Sequence, residues 1–133
     1  MPSILFVCIH NACRSQIAEA ICRSLVRGDW KIASAGTDPS DQVDPKAAAV
    51  LERHHLVIRS PKPKGFEELP AVAWDCVVRM DDGEKKPSIP GGRVVEWDIP
   101  DPHDGPMNLY ETLFNDLSDR LRRLIREFER SPK

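Results

Sequence analysis

The chain has 133 residues, of which 41% are hydrophobic and 30% are charged, and these proportions are typical of one globular domain spanning residues 1–133. Its 19 Lys and Arg residues stand against 21 Asp and Glu residues, so the net charge of -2 argues against a protein that coats nucleic acid or an anionic membrane. No apolar run approaches the roughly 18 to 20 residues of a membrane-spanning helix, and no basic segment precedes the first apolar run as in a secretory signal. We therefore expect a cytoplasmic protein in which any anion site is local.

The four cysteines are predicted to be thiols. Cys8, Cys13, Cys22 and Cys76 could form two disulfides, but a domain of this size with a real core does not need them. Cys22 lies on the apolar face of a predicted helix and Cys76 in a predicted strand, so both are expected in the core. Zinc bound by Cys8, His10, Cys13 and Cys22 is disfavoured because their spacing matches no common zinc pattern, and no metal is predicted.

Short apolar runs alternate with helical periodicity along the chain. Strands are predicted at residues 4–8, 30–34, 74–78 and 93–97. Helices are predicted after residue 14, after the capping pair Asp44-Pro45, and along a C-terminal stretch whose apolar residues step at three and four from Leu109 to Phe128. This alternation predicts a three-layer, Rossmann-like α/β domain with a parallel sheet of about four strands flanked by helices, whose ligands bind beyond the carboxyl ends of the strands.

The loop after the first strand carries the chemistry. Residues 8–15 (Cys-Ile-His-Asn-Ala-Cys-Arg-Ser) run from that strand into the first helix, so the loop can curl into a cradle for a tetrahedral dianion. Arg14 would grip two oxygens of the anion, the same positive field would favour the thiolate of Cys8, and Ser15 would hydrogen-bond that thiolate. Asn11 suits a left-handed backbone conformation, and its amide could tie the cradle together. The backbone donors would come from Ile9, His10, Asn11, Ala12, Cys13 and Arg14.

Several of these residues also have an ordinary structural interpretation. Cys8 could be a buried thiol at a strand end, although the Arg-Ser context favours catalysis. Cys13 could protect Cys8 through a reversible disulfide, or simply face the interior of the loop. His10 could line the mouth of the pocket or be an exposed loop histidine. Lys62 and Lys64 are expected to lie on a solvated face.

Three segments together resemble a known superfamily. Residues 7–16 (Val-Cys-Ile-His-Asn-Ala-Cys-Arg-Ser-Gln), 34–37 (Ser-Ala-Gly-Thr) and 97–102 (Trp-Asp-Ile-Pro-Asp-Pro) are similar to the low-molecular-weight protein tyrosine phosphatase superfamily, and most of all to its arsenate reductase branch. The resemblance extends over nearly the whole chain. It implies that Cys8 is the nucleophile and that Asp101 is the general acid that protonates the leaving oxygen. Asp98 and Asp104 are nearby alternatives, but neither precedes a proline.

One segment departs from the arsenate reductase pattern. The thioredoxin-coupled reductases carry two further cysteines after the third strand, whereas residues 80–87 contain none, and Asp82 and Lys86 stand in their places. The resemblance then implies that Cys8 reduces arsenate with an external thiol (thioredoxin, glutaredoxin or a small thiol) or with Cys13. No bound cofactor is expected.

Two other functions remain open from the sequence. The first is a phosphatase that hydrolyses phosphate monoesters through a phosphocysteine, with Asp101 activating the water. Against a dedicated phosphotyrosine enzyme, His103 stands where such enzymes carry Tyr, and residues 38–43 include no aromatic side chain for the substrate ring. The second is an oxyanion-binding sensor without turnover, which would need neither Cys8 nor Asp101.

Overall fold

The computed structural model describes residues 2–58, 62–69, 73–80 and 91–130. It contains four strands and three α-helices in these ranges, in the order β1 (Ser3–Cys8), α1 (Arg14–Leu25), β2 (Lys31–Gly36), α2 (Pro45–Arg53), β3 (Trp74–Arg79), β4 (Gly91–Glu96) and α3 (Met107–Arg130). A 3-10 helix at Phe66–Glu68 precedes β3. The predicted α/β class, with four parallel strands flanked by helices, is confirmed.

The order of the strands places β1 in the interior of the sheet. The strands lie in the order β2-β1-β3-β4, and all three neighbouring pairs are parallel. The chain therefore leaves β1 for one side of the sheet and returns on the other, which opens a crevice at the carboxyl end of β1. That end is occupied by Cys8, which pairs with Gly36 of β2.

The core explains why β1 forms the centre. All six of its residues are buried, as expected for a parallel strand covered on both faces. On one face, Ile4 and Phe6 pack in a cluster that also contains buried residues of all three helices. On the other, Leu5 and Val7 pack with Val77 and with residues around the 3-10 helix. Each such buried side chain contributes roughly 1.5–3 kcal/mol of transfer free energy.

Most element boundaries shift by one or two residues from the prediction. Strand β2 begins one residue later than predicted and continues to Gly36, because Ala35 and Gly36 still pair with β1. The predicted apolar face of α3 is wrong at Leu109, which is 44% exposed, because the fully buried Tyr110 faces the core at this turn. The predicted start of α2 is confirmed, since Asp44 caps the helix and Pro45 occupies its first turn. No helix within the described ranges is long and apolar enough to span a bilayer.

Candidate active site

The loop between β1 and α1 is shaped by its outward-pointing carbonyl groups. Four of them accept backbone N–H groups from the segment that follows β2: Cys8 from Thr37 (3.1 Å), Ile9 from Asp38 (2.7 Å), His10 from Ser40 (3.1 Å) and Ala12 from Asp44 (2.9 Å). In a trans peptide the carbonyl and the next N–H point in opposite directions, and the described residues contain no cis bond. The N–H groups that follow these carbonyls are therefore directed toward the centre of the loop, as an anion cradle requires.

The start of α1 adds to this positive potential. Helix α1 begins at Arg14. The side chain of its N-cap residue, Cys13, accepts no hydrogen bond from the first turn, and that turn contains no acidic residue. Unpaired N–H groups and the helix dipole at such a terminus attract an anion. The loop and the helix therefore present their donors to the same point.

Asn11 fixes the conformation of the loop. Its φ of 52° lies in the left-handed region, as predicted. Its Oδ1 accepts the backbone N–H of Lys64 (2.9 Å) and the side-chain amide of Gln16 (3.1 Å), and its Nδ2 donates to the hydroxyls of Ser15 (2.8 Å) and Ser34 (2.9 Å). Since both acceptors and both donors are used, the orientation of the Asn11 amide is determined.

These bonds direct a hydrogen toward Cys8. Asn11 Nδ2 can only donate, so the Ser15 hydroxyl accepts from it and keeps its own hydrogen for Cys8 Sγ, which lies 2.9 Å away. Ser34 in turn donates to Glu19 Oε1 at 2.6 Å, which fixes the other end of the chain of bonds. A serine hydroxyl aimed at the sulfur stabilises a thiolate. The predicted contact between Ser15 and Cys8 is therefore present in the structure.

The carboxylate of Glu19 is buried and is neutralised by two cations. Arg23 Nη2 lies 3.0 Å from Glu19 Oε2, and Lys64 Nζ lies 4.0 Å from Oε1. The expectation that Lys64 lies on a solvated face is wrong, because its side chain is only 19% exposed and its Nζ is buried. A buried carboxylate needs such partners to offset the cost of its desolvation.

Gly36 allows β2 to pass directly beneath the loop. A Cβ at this position would lie 2.6 Å from the Ile9 carbonyl oxygen, 2.8 Å from the Asn11 nitrogen and 2.9 Å from the His10 carbonyl carbon. All three atoms belong to the backbone, so they cannot move aside as a side chain can. The close approach of the two segments therefore requires glycine.

Two backbone carbonyl groups hold the guanidinium of Arg14 in place. It is 5% exposed, and its Nη1 donates to the carbonyl oxygens of Met80 (2.8 Å) and Ile99 (3.1 Å). Its Nη2 lies 3.8 Å from Asp101 Oδ2. The guanidinium therefore joins residues 8–15, which we call the oxyanion loop, to the segments that follow β3 and β4.

Asp101 is the acidic residue of its segment that contacts Arg14. Its Oδ1 accepts the backbone N–H of His103 at 3.1 Å, while its Oδ2 faces Arg14. Asp104 also borders the cavity but is 88% exposed and pairs with His103. Asp98 is not among the residues that line the cavity. The geometry thus favours Asp101 among the three alternatives.

These residues enclose a cavity of about 330 Å³. Its wall in the described part of the chain contains no Phe, Tyr or Trp, and the aromatic rings that border it are the imidazoles of His10 and His103. The lining residues are Cys8, His10, Ala12, Cys13, Arg14, Ser40, Gln42, Val43, Asp44, Pro45, Asp101, His103 and Asp104.

The remaining thiols differ from Cys8 in their surroundings. Burial strongly raises the pKa of Cys13, and the nearby carboxylates of Asp44 and Asp101 raise it further. The predictions for Cys22 and Cys76 are confirmed, since both are 0% exposed. Burial raises the pKa of Cys22 to about 12 and that of Cys76 to about 11. These three side chains are therefore thiols at neutral pH.

Sequence patterns did not identify all the residues that support the site. Asp44 was recognised only as a helix cap, yet its Oδ2 accepts the hydroxyl hydrogen of the buried Tyr110 at 2.5 Å and its side chain borders the cavity. Burial and this bond raise the pKa of Tyr110. Glu19 was also missed, although a carboxylate between Ala18 and Ala20 on a buried helix was a usable signal.

Three further expectations from the sequence concern Asp82 and Lys86, His10, and metal binding. The predicted relay positions Asp82 and Lys86 lie outside the described residues. His10 is exposed at the mouth of the cavity, where its Nδ1 donates to the Asp38 carbonyl at 2.9 Å. In the described ranges, no three His, Cys, Asp or Glu side chains form a group that could hold a metal ion.

Comparison with known proteins gives matches over nearly the whole chain. The sequence model described as low molecular weight phosphotyrosine protein phosphatase matches residues 3–133. A glutaredoxin arsenate reductase of a Synechocystis species is 27% identical over 128 residues, covering 94% of this chain and 97% of that protein. Low molecular weight phosphotyrosine protein phosphatase 2 of Drosophila melanogaster is 44% identical over 91 residues, covering 59% of this chain and 52% of that protein.

A solved structure also matches this chain over nearly its whole length. An arsenate reductase in its phosphate-binding state superimposes with a TM-score of 0.86 at 25% identity, covering 96% of this chain and 98% of that one. The similarity therefore includes the arrangement of the elements as well as the loop sequence.

Proposed function

This chain belongs to the low molecular weight phosphotyrosine protein phosphatase family, and on that premise we propose that it is an arsenate reductase that uses an external thiol. The observation that carries the proposal is the cavity at the end of β1. Cys8 lies there within 2.9 Å of Ser15, beside Arg14 and Asp101, and the described wall contains no Phe, Tyr or Trp to stack on a phosphotyrosine ring. Such a cavity suits a small tetrahedral oxyanion better than an aryl ester.

The first step is substitution at arsenic. The inward N–H groups of the loop and the Arg14 guanidinium bind the arsenate oxygens, and the Ser15 hydroxyl and the α1 terminus favour the thiolate of Cys8. Cys8 Sγ forms a bond to arsenic, an As–O bond breaks, and Asp101 gives its proton to the departing oxygen, which leaves as water.

The second step is reduction by a thiol. A thiolate attacks Cys8 Sγ, an S–S bond forms, and the S–As bond breaks with its electron pair passing to arsenic, which leaves as arsenite. A second thiol then reduces the mixed disulfide and restores Cys8. Two thiols are thus oxidised to one disulfide for each As(V) reduced to As(III). The enzyme consequently requires a reducing compartment.

The surroundings of the other cysteines favour a thiol from outside the chain. Cys22 and Cys76 are packed in the core, and the raised pKa of Cys13 keeps it protonated, so it is a weak nucleophile toward Cys8. Residues 80–87 supply no cysteine. The name of the Synechocystis relative couples that protein to glutaredoxin, and a glutaredoxin, a thioredoxin or a small thiol would serve here.

A second candidate is hydrolysis of phosphate monoesters. It is favoured by the 44% identity to the Drosophila phosphatase over 91 residues, a segment that covers 59% of this chain. In that reaction the phosphocysteine on Cys8 is hydrolysed by a water that Asp101 activates.

Paired turnover assays test the proposal. Purified protein is given arsenate with a glutathione–glutaredoxin system, a thioredoxin system or a small thiol in turn, and arsenite release is measured beside aryl phosphate hydrolysis, each with Cys8→Ser and Cys13→Ser. We expect Cys8-dependent arsenite release that survives Cys13→Ser. Hydrolysis without arsenite release would favour the phosphatase, and anion binding without turnover would favour the sensor.

A further inference from the structure

The segment between β4 and α3 carries Asp101, and two cations hold it at its two ends. At its start, Arg14 Nη1 donates to the carbonyl of Ile99 at 3.1 Å. At its end, Lys46 Nζ donates to the carbonyl of Gly105 at 2.7 Å. We call residues 99–105 the acid loop. Lys46 comes from α2, so this second bond joins elements that are 59 residues apart in the chain.

Lys46 is itself fixed to the oxyanion loop through Asp44. The Oδ1 of Asp44 accepts the backbone N–H of Lys46 at 2.9 Å, and the backbone N–H of Asp44 donates to the Ala12 carbonyl at 2.9 Å. The hydroxyl of Tyr110 holds the other carboxylate oxygen of Asp44. A continuous path of hydrogen bonds therefore runs from the oxyanion loop through Asp44 and Lys46 to the acid loop.

The acid loop is tight enough to transmit a shift at Gly105 to Asp101. The Gly105 N–H donates to the Pro102 carbonyl at 2.7 Å, and the His103 N–H donates to Asp101 Oδ1 at 3.1 Å. A Cβ at Gly105 would lie 2.9 Å from the Pro102 carbonyl oxygen, so the turn has no spare room. Because these two hydrogen bonds close the turn, a displacement of Gly105 also displaces Asp101.

We propose that Lys46 is a positioning residue for the general acid: its bond to Gly105 sets the distance between the acid loop and the oxyanion loop. The inference rests on the proposed function, in which Asp101 protonates the oxygen that leaves as Cys8 attacks. Lys46 is not among the residues that line the cavity, so it acts through Asp101 and not on the oxyanion. Arg14 holds the other end of the loop but also binds the anion, whereas Lys46 can be changed alone.

The test compares Lys46→Met and Lys46→Arg with Asp101→Asn and with the double variant Lys46→Met/Asp101→Asn. The exposed Lys62, changed to Met, is the matched control. We measure kcat for arsenite release at saturating arsenate and thiol, and the rate at which iodoacetamide alkylates Cys8. If Lys46→Met fails to fold, Lys46→Gln supplies the same comparison.

We expect Lys46→Met to lower kcat about tenfold, which is part of the roughly 10²–10⁴-fold that general acid catalysis contributes. Alkylation of Cys8 should stay within about twofold of the wild-type rate, Lys46→Arg should recover most of kcat, and Lys62→Met should change neither. In the Asp101→Asn background, Lys46→Met should cause no further loss, because residues that act through one group are not additive.

Two results would overturn the inference alone: an unchanged kcat in Lys46→Met, or the same loss in the Asp101→Asn background as in the wild type. If the wild type releases no arsenite but hydrolyses an aryl phosphate through Cys8, the proposed function fails. The same variants are then measured with that ester as substrate, and their kcat values still decide the inference about Lys46. Absence of Cys8-dependent turnover on both substrates overturns both.

Discussion

Gly36→Ala tests whether the contact between β2 and the oxyanion loop determines catalysis. The added Cβ would lie 2.6 Å from the Ile9 carbonyl oxygen, and ordinary contact begins near 3.4 Å, so the loop must retreat by about 0.8 Å. Overpacking of this kind costs about 1–3 kcal/mol of folding free energy. A displacement close to 1 Å in a catalytic group lowers the rate by about 10²-fold.

The assay measures kcat/KM for arsenite release, the inhibition constant of phosphate, and the free energy of unfolding in urea. Gly65→Ala is the matched control, because a Cβ there has its nearest neighbours at 3.5 Å and fits without displacement. We expect a loss of about 10²-fold in kcat/KM and weaker phosphate inhibition for Gly36→Ala, with no change for Gly65→Ala. Wild-type kinetics in Gly36→Ala would refute the argument that this close approach shapes the loop.

Three further substitutions probe individual buried or hydrogen-bonded side chains. Ser15→Ala removes the hydroxyl 2.9 Å from Cys8 Sγ and should slow alkylation of Cys8 by iodoacetamide at pH 7 about tenfold; an unchanged rate would contradict the stated hydrogen-bond direction. Tyr110→Phe leaves Asp44 Oδ2 without its buried donor and should cost about 1–3 kcal/mol in urea unfolding, whereas wild-type stability would show that the bond is dispensable. The pKa of Cys22 is raised from 9.0 to about 12, so above pH 9 the unfolded chain loses this proton and the folded chain keeps it. The protonated Cys22 thiol therefore makes its full contribution to the free energy of unfolding below pH 9, and this contribution is lost as the pH rises. Cys22→Ala should make the fall of unfolding free energy between pH 9 and pH 11 shallower by about 1.4 kcal/mol per pH unit; equal slopes for the two proteins would exclude this linkage.

The fold was predictable because its signals are local. The apolar run of β1, the Asp44-Pro45 start of α2 and the apolar periodicity of α3 each report a structure that forms from neighbouring residues. The rules of parallel α/β topology then limit the orders in which these strands can pair. The error at Leu109 arose because Leu and Tyr are both compatible with the apolar stripe, and packing decided in favour of Tyr110.

The site was predictable where its residues share one short segment or belong to a recognisable motif. Residues 8–15 lie in one loop, and the Asp-Pro pair at position 101 could be placed at the same sheet edge. The contacts of Lys46 with Gly105, and of Lys64 with Asn11 and Glu19, join segments that are distant in sequence. No periodicity or motif encodes such pairs, since a single lysine has the same sequence signature whether its side chain is solvated or buried.

In the proposed reaction, Cys8 receives the oxyanion and is then released by a thiol from outside the chain. The most direct measurement is the intact mass, with peptide mapping, of protein quenched after one turnover with arsenate and glutathione. We expect one glutathione unit on Cys8, formed equally in Cys13→Ser and absent without arsenate. A disulfide between Cys8 and Cys13 in place of that adduct, or an adduct that forms equally without arsenate, would contradict it.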